Sequence, residues 1–137
     1  MRRVLVDTNV LISFVSDRDE QQQEKANRLF AMAAASEVAL ILHQTVITEF
    51  VFVLTNLYGV KAPEVAEMLG ELLALPGTVA AYETSWPLVL DLWPNAIPSF
   101  ADSIVASVAL QGRYDAVATF DSKLAHALKS RGVQSAW

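Results

Sequence analysis

The sequence predicts an α/β fold: a three-layer α/β/α sandwich around a central, mostly parallel sheet of four to five strands. Three observations lead there. Short apolar runs at residues 4–6, 38–42, 78–82 and 116–119 recur along the chain, and near-continuous apolar strands suit a parallel sheet covered on both faces. Segments of helical character separate these runs, as crossovers between parallel strands require. No internal repeat, low-complexity tract or linker interrupts the alternation, and 137 residues fit one domain, 1–137. A chain of that size buries about two thirds of the surface it would expose unfolded.

Taken in order, the strand at residues 4–6 runs straight into Asp7. Thr8 or Asn9 is placed to cap the next helix by accepting a bond from a free backbone N–H, and residues 10–14 supply its apolar turns. A polar break at 16–20 precedes a helix over 21–35, in which Ala26, Leu29, Phe30 and Ala33 follow the spacing of one buried face. After the strand at 38–42, Gln44 or Thr45 starts a helix that runs to about Tyr58 and ends at Gly59, a residue suited to a left-handed C-cap. Residues 45–49 resemble a capping arrangement, which sets Glu49 about one turn into that helix. Pro63 fits the first turn of a helix reaching about Leu75, where its missing N–H costs nothing, and Pro76 and Gly77 stop it. The strand at 78–82 leads to a helix from Thr84 or Ser85 to about Trp93, then a loop at 94–98. Ser99 is the predicted N-cap of a helix over 100–111, with Asp102 at its beginning and Gly112 at its end. Asp121 follows the strand at 116–119, and a helix at 124–130 and a short edge strand at 132–135 complete the chain.

Composition narrows the function classes. With 53% apolar and 18% charged residues the chain is built to fold into a compact core. It has no cysteine, which excludes disulfide scaffolds, thiol catalysis and thiolate metal sites. No apolar run approaches the roughly 20 residues that span a bilayer. The basic start Met1-Arg2-Arg3 is followed too soon by Asp7 to be a signal peptide, so a cytoplasmic protein without a membrane partner is expected. His43 and His126 lack ligand-like spacing and read as packing or surface residues. The net charge of −5 argues at face value against a nucleic-acid partner. The charge is polarised, however: residues 64–102 hold six acids and no base, whereas Arg113, Lys123, Lys129 and Arg131 stand among the last 27 residues with two acids.

Four acids stand out by position. Asp7 and Asp121 follow the carboxyl ends of strands, Asp102 begins a helix, and Glu49 lies about a turn into a helix that follows a strand. In a parallel α/β fold, strand ends and the helix starts after them face one rim, where ligands bind. Each residue has an ordinary reading alone: Asp7 as a cap, Asp102 as an anion at a helix N-terminus, Glu49 as a surface residue, Asp121 as a turn former. Converging together, they would repel one another unless a cation compensates them. Oxygen ligands without thiolate or imidazole select Mg²⁺ or Mn²⁺, and such a cluster suits phosphodiester hydrolysis.

At these residues the chain resembles a known family. The segment Val4-Leu5-Val6-Asp7-Thr8-Asn9-Val10-Leu11-Ile12 is similar to the opening of PIN domains. Thr48-Glu49-Phe50-Val51-Phe52-Val53-Leu54 with Tyr58-Gly59 resembles their second acidic motif, Phe100-Ala101-Asp102-Ser103-Ile104-Val105-Ala106 their third, and Ala118-Thr119-Phe120-Asp121-Ser122-Lys123-Leu124 their fourth. The resemblance covers essentially the whole chain, and the nearest branch is the single-domain VapC-like toxins. It implies a Mg²⁺- or Mn²⁺-dependent endoribonuclease of a toxin–antitoxin pair, a homodimer held inactive by a small antitoxin protein. Carried over by position, it makes Asp7 and Asp102 the direct metal ligands. Glu49 and Asp121 complete the cluster and orient the attacking water, and Thr8, Asn9 and Thr119 support the site. Setting the four site acids aside leaves the rest of the chain at −1, with Arg113, Lys123, Lys129 and Arg131 as candidate contacts to RNA phosphates.

Two other classes compete. A haloacid dehalogenase-like phosphohydrolase also begins with a strand and an aspartate, but needs a second acid two residues on, where this chain has Asn9. A PIN-fold module that binds a protein without cleaving anything would use the apolar helices, in which Phe14, Phe50, Phe52, Trp86 and Trp93 exceed the needs of one obvious face.

Overall fold

A computed structural model describes residues 1–137. Five strands, β1 (Arg2–Val6), β2 (Val38–His43), β3 (Thr78–Ala81), β4 (Ala116–Ala118) and β5 (Gln134–Ser135), alternate with α1 (Thr8–Val15), α2 (Glu20–Ala34), α3 (Gln44–Phe52), α4 (Ala62–Ala74), α5 (Trp86–Leu92), α6 (Phe100–Gly112) and α7 (Ser122–Lys129). The strands form a single sheet in the order β3-β2-β1-β4-β5. Every neighbouring pair is parallel, so the sheet is parallel throughout. No helix is long and apolar enough to cross a membrane.

The strand order positions the site. From β1 the chain winds outward through β2 to β3, then returns past β1 to lay down β4 and β5 on the other side. The winding reverses between β1 and β4, and the loops leaving these two strands diverge there to open a crevice. Asp7 follows β1 and Thr119 to Asp121 follow β4. The backbone holds the two exits together, because the Asp7 N–H donates to the Ala118 carbonyl at 2.9 Å.

The core sits on β1 and β2. Val4, Leu5 and Val6 have no exposed surface, and Leu40 and Leu42 match them. Helices supply the rest through the spacing read above: Ala26, Leu29, Phe30 and Ala33 of α2 are all buried. Phe50 is the largest side chain buried completely, a burial worth about 1.5–3 kcal/mol. Phe14 stacks on Phe30 with centroids 4.1 Å apart, and Trp93 packs edge-on against Phe100 at 4.9 Å. Of the five aromatic side chains in excess of one face, only Phe52 and Trp86 are left exposed. Gly77 lies in the left-handed region with φ +82°, and a Cβ there would come within 2.6 Å of the Ala33 carbonyl oxygen.

Two helix ends differ from expectation. The helix after β2 does not stay α-helical to Tyr58: α3 stops at Phe52 and one π-helical turn, Val53–Leu57, carries the chain on. The Thr55 hydroxyl donates to the Val51 carbonyl at 2.8 Å, and such back-bonding loosens the ladder of a helix interior. Gly59, with φ +66°, then turns the chain. At the end of α6, Gly112 is the last helical residue and Arg113 takes the left-handed position with φ 52°. Gly112 is held to a hydrogen side chain by packing: a Cβ there would meet the Tyr114 ring at 2.6 Å.

Candidate active site

The site forms where β1 and β4 end. Asp7 is buried, and it is itself the N-cap of α1: its Oδ1 accepts from the Thr8 N–H at 2.8 Å. The expectation that Thr8 or Asn9 caps this helix is corrected here, because both already lie inside its first turn. Thr8 serves the carboxylate through its backbone. Asp7 Oδ2 accepts from the Thr119 hydroxyl at 2.7 Å and from the Asn9 amide at 3.2 Å. Asn9 also accepts from the Phe120 N–H at 3.0 Å, and Thr119 Oγ1 accepts from the Asp121 N–H at 3.0 Å. Asn9 and Thr119 therefore tie the β1 and β4 exits into one network around a single carboxylate. Asp121 in turn caps α7, its Oδ1 accepting from the N–H groups of Lys123 at 2.9 Å and Leu124 at 3.2 Å.

Asp102 reaches the same rim from α6. Ser99 is the N-cap as predicted, its hydroxyl accepting from the Asp102 N–H at 3.2 Å. The Asp102 carboxylate accepts no hydrogen bond. Burial first, then the charges of Asp7, Asp121 and Glu49, push its pKa up to about 6. Burial likewise raises the Asp7 pKa, with Glu49 and Asp121 adding to it against the Thr119 and Thr8 hydrogen bonds. The four acids singled out in the sequence thus lie within electrostatic reach of one another. As placed, no three His, Asp or Glu side chains close into a ligand shell around an ion. The donor chemistry nevertheless fits a hard cation, being carboxylate oxygen alone.

Glu49 comes from the second turn of α3, and the cap of that helix is His43 rather than a residue of 45–49. His43 is buried. Its Nδ1 accepts from the Thr45 N–H at 3.1 Å and its Nε2–H donates to the Glu83 carbonyl at 3.0 Å. Both ring nitrogens are occupied in the neutral form, which burial favours by lowering the pKa, so no imidazole is offered to the cluster. His126 stands exposed on α7.

Of the four basic residues predicted to meet phosphate, only Lys123 shares this rim, in the first turn of α7. Arg113 ends α6, roughly 16 Å from Asp102 along the helix axis. Its neighbour Gly112 bonds the Arg3 side chain at the start of β1, at 3.3 Å. Lys129 ends α7 and Arg131 follows in the turn before Gln134, which pairs with Ala116 at the start of β4. Their placement follows from the topology: α6 and α7 run antiparallel to the strands they connect, so residues at their carboxyl ends lie at the opposite rim. Lys25 of α2, not singled out in the sequence, is a further base on this side. It lines a cleft of about 340 Å³ together with Thr119 and Asp121. No local signal marks it, because only tertiary packing brings α2 to the β4 exit.

A larger cleft, about 710 Å³, opens on the other flank of the carboxylates and is bounded by Glu49. The acidic centre therefore lies between two recesses.

The sequence model of the PIN domain family matches residues 4–129. No curated protein matches the chain. Among solved structures, the chain is similar to VapC20 of Mycobacterium tuberculosis, described as a toxin that cleaves the sarcin-ricin loop, with a TM-score of 0.67 and 17% identity over 90% of this chain and 94% of that one. It is similar to PAE2754 of Pyrobaculum aerophilum, with a TM-score of 0.65 and 17% identity over 98% and 83% of the two chains. VapBC2 of Rickettsia felis, solved bound to a DNA fragment from its own promoter, gives a TM-score of 0.66 and 14% identity over 91% and 92%.

Proposed function

The chain belongs to the PIN domain family, and from that membership we propose that it is a metal-dependent endoribonuclease, the toxin of a toxin–antitoxin pair acting in the cytoplasm. The observation that carries the reading is Asp102: a half-buried carboxylate without a hydrogen bond, raised to a pKa of about 6 by burial and by three other acids at the same rim. Such an arrangement is costly unless a cation fills it.

Asp7 and Asp102 would hold Mg²⁺ or Mn²⁺, with Glu49 and Asp121 completing the shell directly or through water. When bound, the ion polarises a phosphoryl oxygen and lowers the pKa of a coordinated water. The chain's own residues do the positioning. Thr119, Asn9 and the Thr8 N–H fix Asp7, so its orientation is set before substrate arrives. Asp121 is held by the start of α7. Glu49 and Asp121 flank the centre and orient the attacking water. Lys123 and Lys25 stand where an RNA backbone leaving the centre on the Asp121 side would pass.

The phosphohydrolase alternative has no support in the site, since Asn9 stands where its acid is needed and already bonds Asp7, Thr119 and Phe120. The likeness to VapC20 and to a VapBC2 assembly supports an RNA substrate and a small antitoxin partner. Leu57, Leu73 and Leu90, exposed on the outer helices, support the antitoxin and a second copy as further partners. Cleavage of single-stranded RNA with Mg²⁺ or Mn²⁺ tests the proposal. Asp7→Asn and Asp102→Asn should each lower the rate at least 100-fold; unchanged cleavage in both would sink it, whereas no cleavage by wild type would leave the protein-binding module in its place.

A further inference from the structure

We propose that the cleft beside Glu49 is a stacking pocket for one unpaired nucleobase next to the scissile phosphate. The inference rests on the nuclease reading and adds what that reading leaves open: the substrate is recognised as single-stranded RNA through a base rather than through its backbone.

Four aromatic side chains form the apolar walls. Phe52, Tyr82, Trp86 and Phe100 come from α3, the end of β3, α5 and α6, and they are 56%, 69%, 54% and 44% exposed. Large apolar rings left this open are unusual unless something covers them. Trp86 and Phe100 lie nearly parallel, their planes 10° apart and their centroids 6.3 Å apart. The two rings stack with their flat faces aligned, and Trp93 holds Phe100 edge-on, inclined by 67°. A base stacks on such faces whatever its identity, because every base has a π-surface.

The polar groups of the cleft fit the edge of a base. Gln44, Thr45 and Thr48 project from the first turns of α3, and the side chains of all three are free of hydrogen bonds within the chain. An amide and two hydroxyls donate and accept alike, as the edge of a base requires.

Charge decides between a base and a phosphate. No lysine or arginine lines the cleft, and its single charged group is Glu49. An anionic occupant is disfavoured there, whereas a neutral ring is not. The basic side chains near the centre, Lys25 and Lys123, lie on the Asp121 flank. The strand is therefore oriented across the site: a base on the Glu49 side, the scissile phosphate at the carboxylates, and the continuing backbone on the Asp121 side. At about 710 Å³ the cleft has room for a nucleobase with its ribose.

The test uses the full chain with two kinds of probe. Trp86→Ala and Phe100→Leu alter exposed rings, so folding is spared, and circular dichroism checks this. For binding, a short single-stranded RNA is titrated without divalent cations while tryptophan fluorescence is followed. Quenching should appear with wild type, and Trp86→Ala should remove most of it and weaken binding roughly 10- to 100-fold. For cleavage, the same RNA is compared with versions made abasic at each position around the cut. One abasic position should raise KM for wild type by a similar factor with little change in kcat, and the same lesion should cost Trp86→Ala almost nothing further. If wild type cleaves while Trp86→Ala and Phe100→Leu keep its affinity and its response to every abasic lesion, the pocket is refuted and the nuclease reading stands. If wild type cleaves nothing yet RNA quenches Trp86, the pocket stands and the nuclease reading falls. If the variants change only the oligomeric state in light scattering, the cleft belongs to a second copy of the chain and the pocket is refuted.

Discussion

Asp7 and Asp102 are the same side chain in two environments, and the difference lies in how each carboxylate is held. Asp7 is buried more deeply but receives three hydrogen bonds, from Thr8, Thr119 and Asn9. Asp102 receives none. As an anion in the first turn of α6 it gains about 0.3–1 kcal/mol from the helix dipole, yet its pKa still rises to about 6. Burial and repulsion win. The consequence for stability has a definite sign. Between the ordinary value of 3.8 and about 6 the folded protein keeps a proton that the unfolded chain has released. Stability of the metal-free protein therefore falls as pH rises through that window, and the penalty is complete above it. Asp102→Asn removes the penalty. At pH 8 without divalent cations the variant should be more stable by on the order of 1 kcal/mol, a figure reduced for solvent screening of a half-exposed group. Urea unfolding at pH 8 and at pH 4 checks this: the gain should be present at the first and absent at the second. An Asn that destabilises at pH 8 would show that Asp102 is not electrostatically strained.

At the scale of elements, α6 illustrates what local chemistry decides and what it does not. Its start is built from Ser99, and Asp102 arrives at the rim because it stands three residues past that cap. Its end is strained. Arg113 holds a left-handed conformation with φ 52°, a region that costs a residue with a Cβ about 1 kcal/mol or more and costs glycine nothing. Arg113→Gly should stabilise the protein by about 0.5–1 kcal/mol in urea unfolding, and it should leave RNA cleavage unaltered because the residue lies at the far rim. Lost cleavage would return Arg113 to the substrate path. Strand ends and the start of α6 were legible in the sequence because short polar side chains there satisfy specific backbone groups, whereas the caps of α1 and α3 fell one or more residues from where they were expected. That is why the places of Asp7 and Asp121 at strand ends, and of Asp102 three residues past the Ser99 cap, could be read before the fold was known. The π-helical turn after α3 was not legible, since it depends on one hydroxyl of Thr55 choosing a backbone carbonyl. Nor was His43, whose ring as the α3 cap is also held by the Glu83 carbonyl just past the end of the neighbouring β3. Where the basic residues lie was not legible either, because charge along a sequence does not say which rim a side chain occupies; only the antiparallel course of α6 and α7 does.

At the scale of the whole molecule, the winding of the sheet and its charge have one solution in common. Reversal between β1 and β4 opens a crevice that the fold must leave uncovered, and the chain places acids there although it carries a net −5. Carboxylates gathered there repel one another, and a bound cation would offset that repulsion. Binding of Mg²⁺ or Mn²⁺ to the folded state alone should therefore stabilise the molecule. At 100 times its dissociation constant an ion contributes about 2.7 kcal/mol, or roughly 5–10 °C in Tm for a domain of this size. The same carboxylates must lose their protons to bind it. With Asp102 titrating near 6 in the free protein, lowering the pH from 8 to 5 should weaken the ion about tenfold and remove roughly 1.4 kcal/mol of that gain. Thermal unfolding with and without the cation, at both pH values, measures this directly. A cation shift that is equal at pH 8 and pH 5, or that survives in the Asp7→Asn, Asp102→Asn double variant, would place the ion elsewhere on the protein. It would also leave the repulsion among the crevice carboxylates uncompensated.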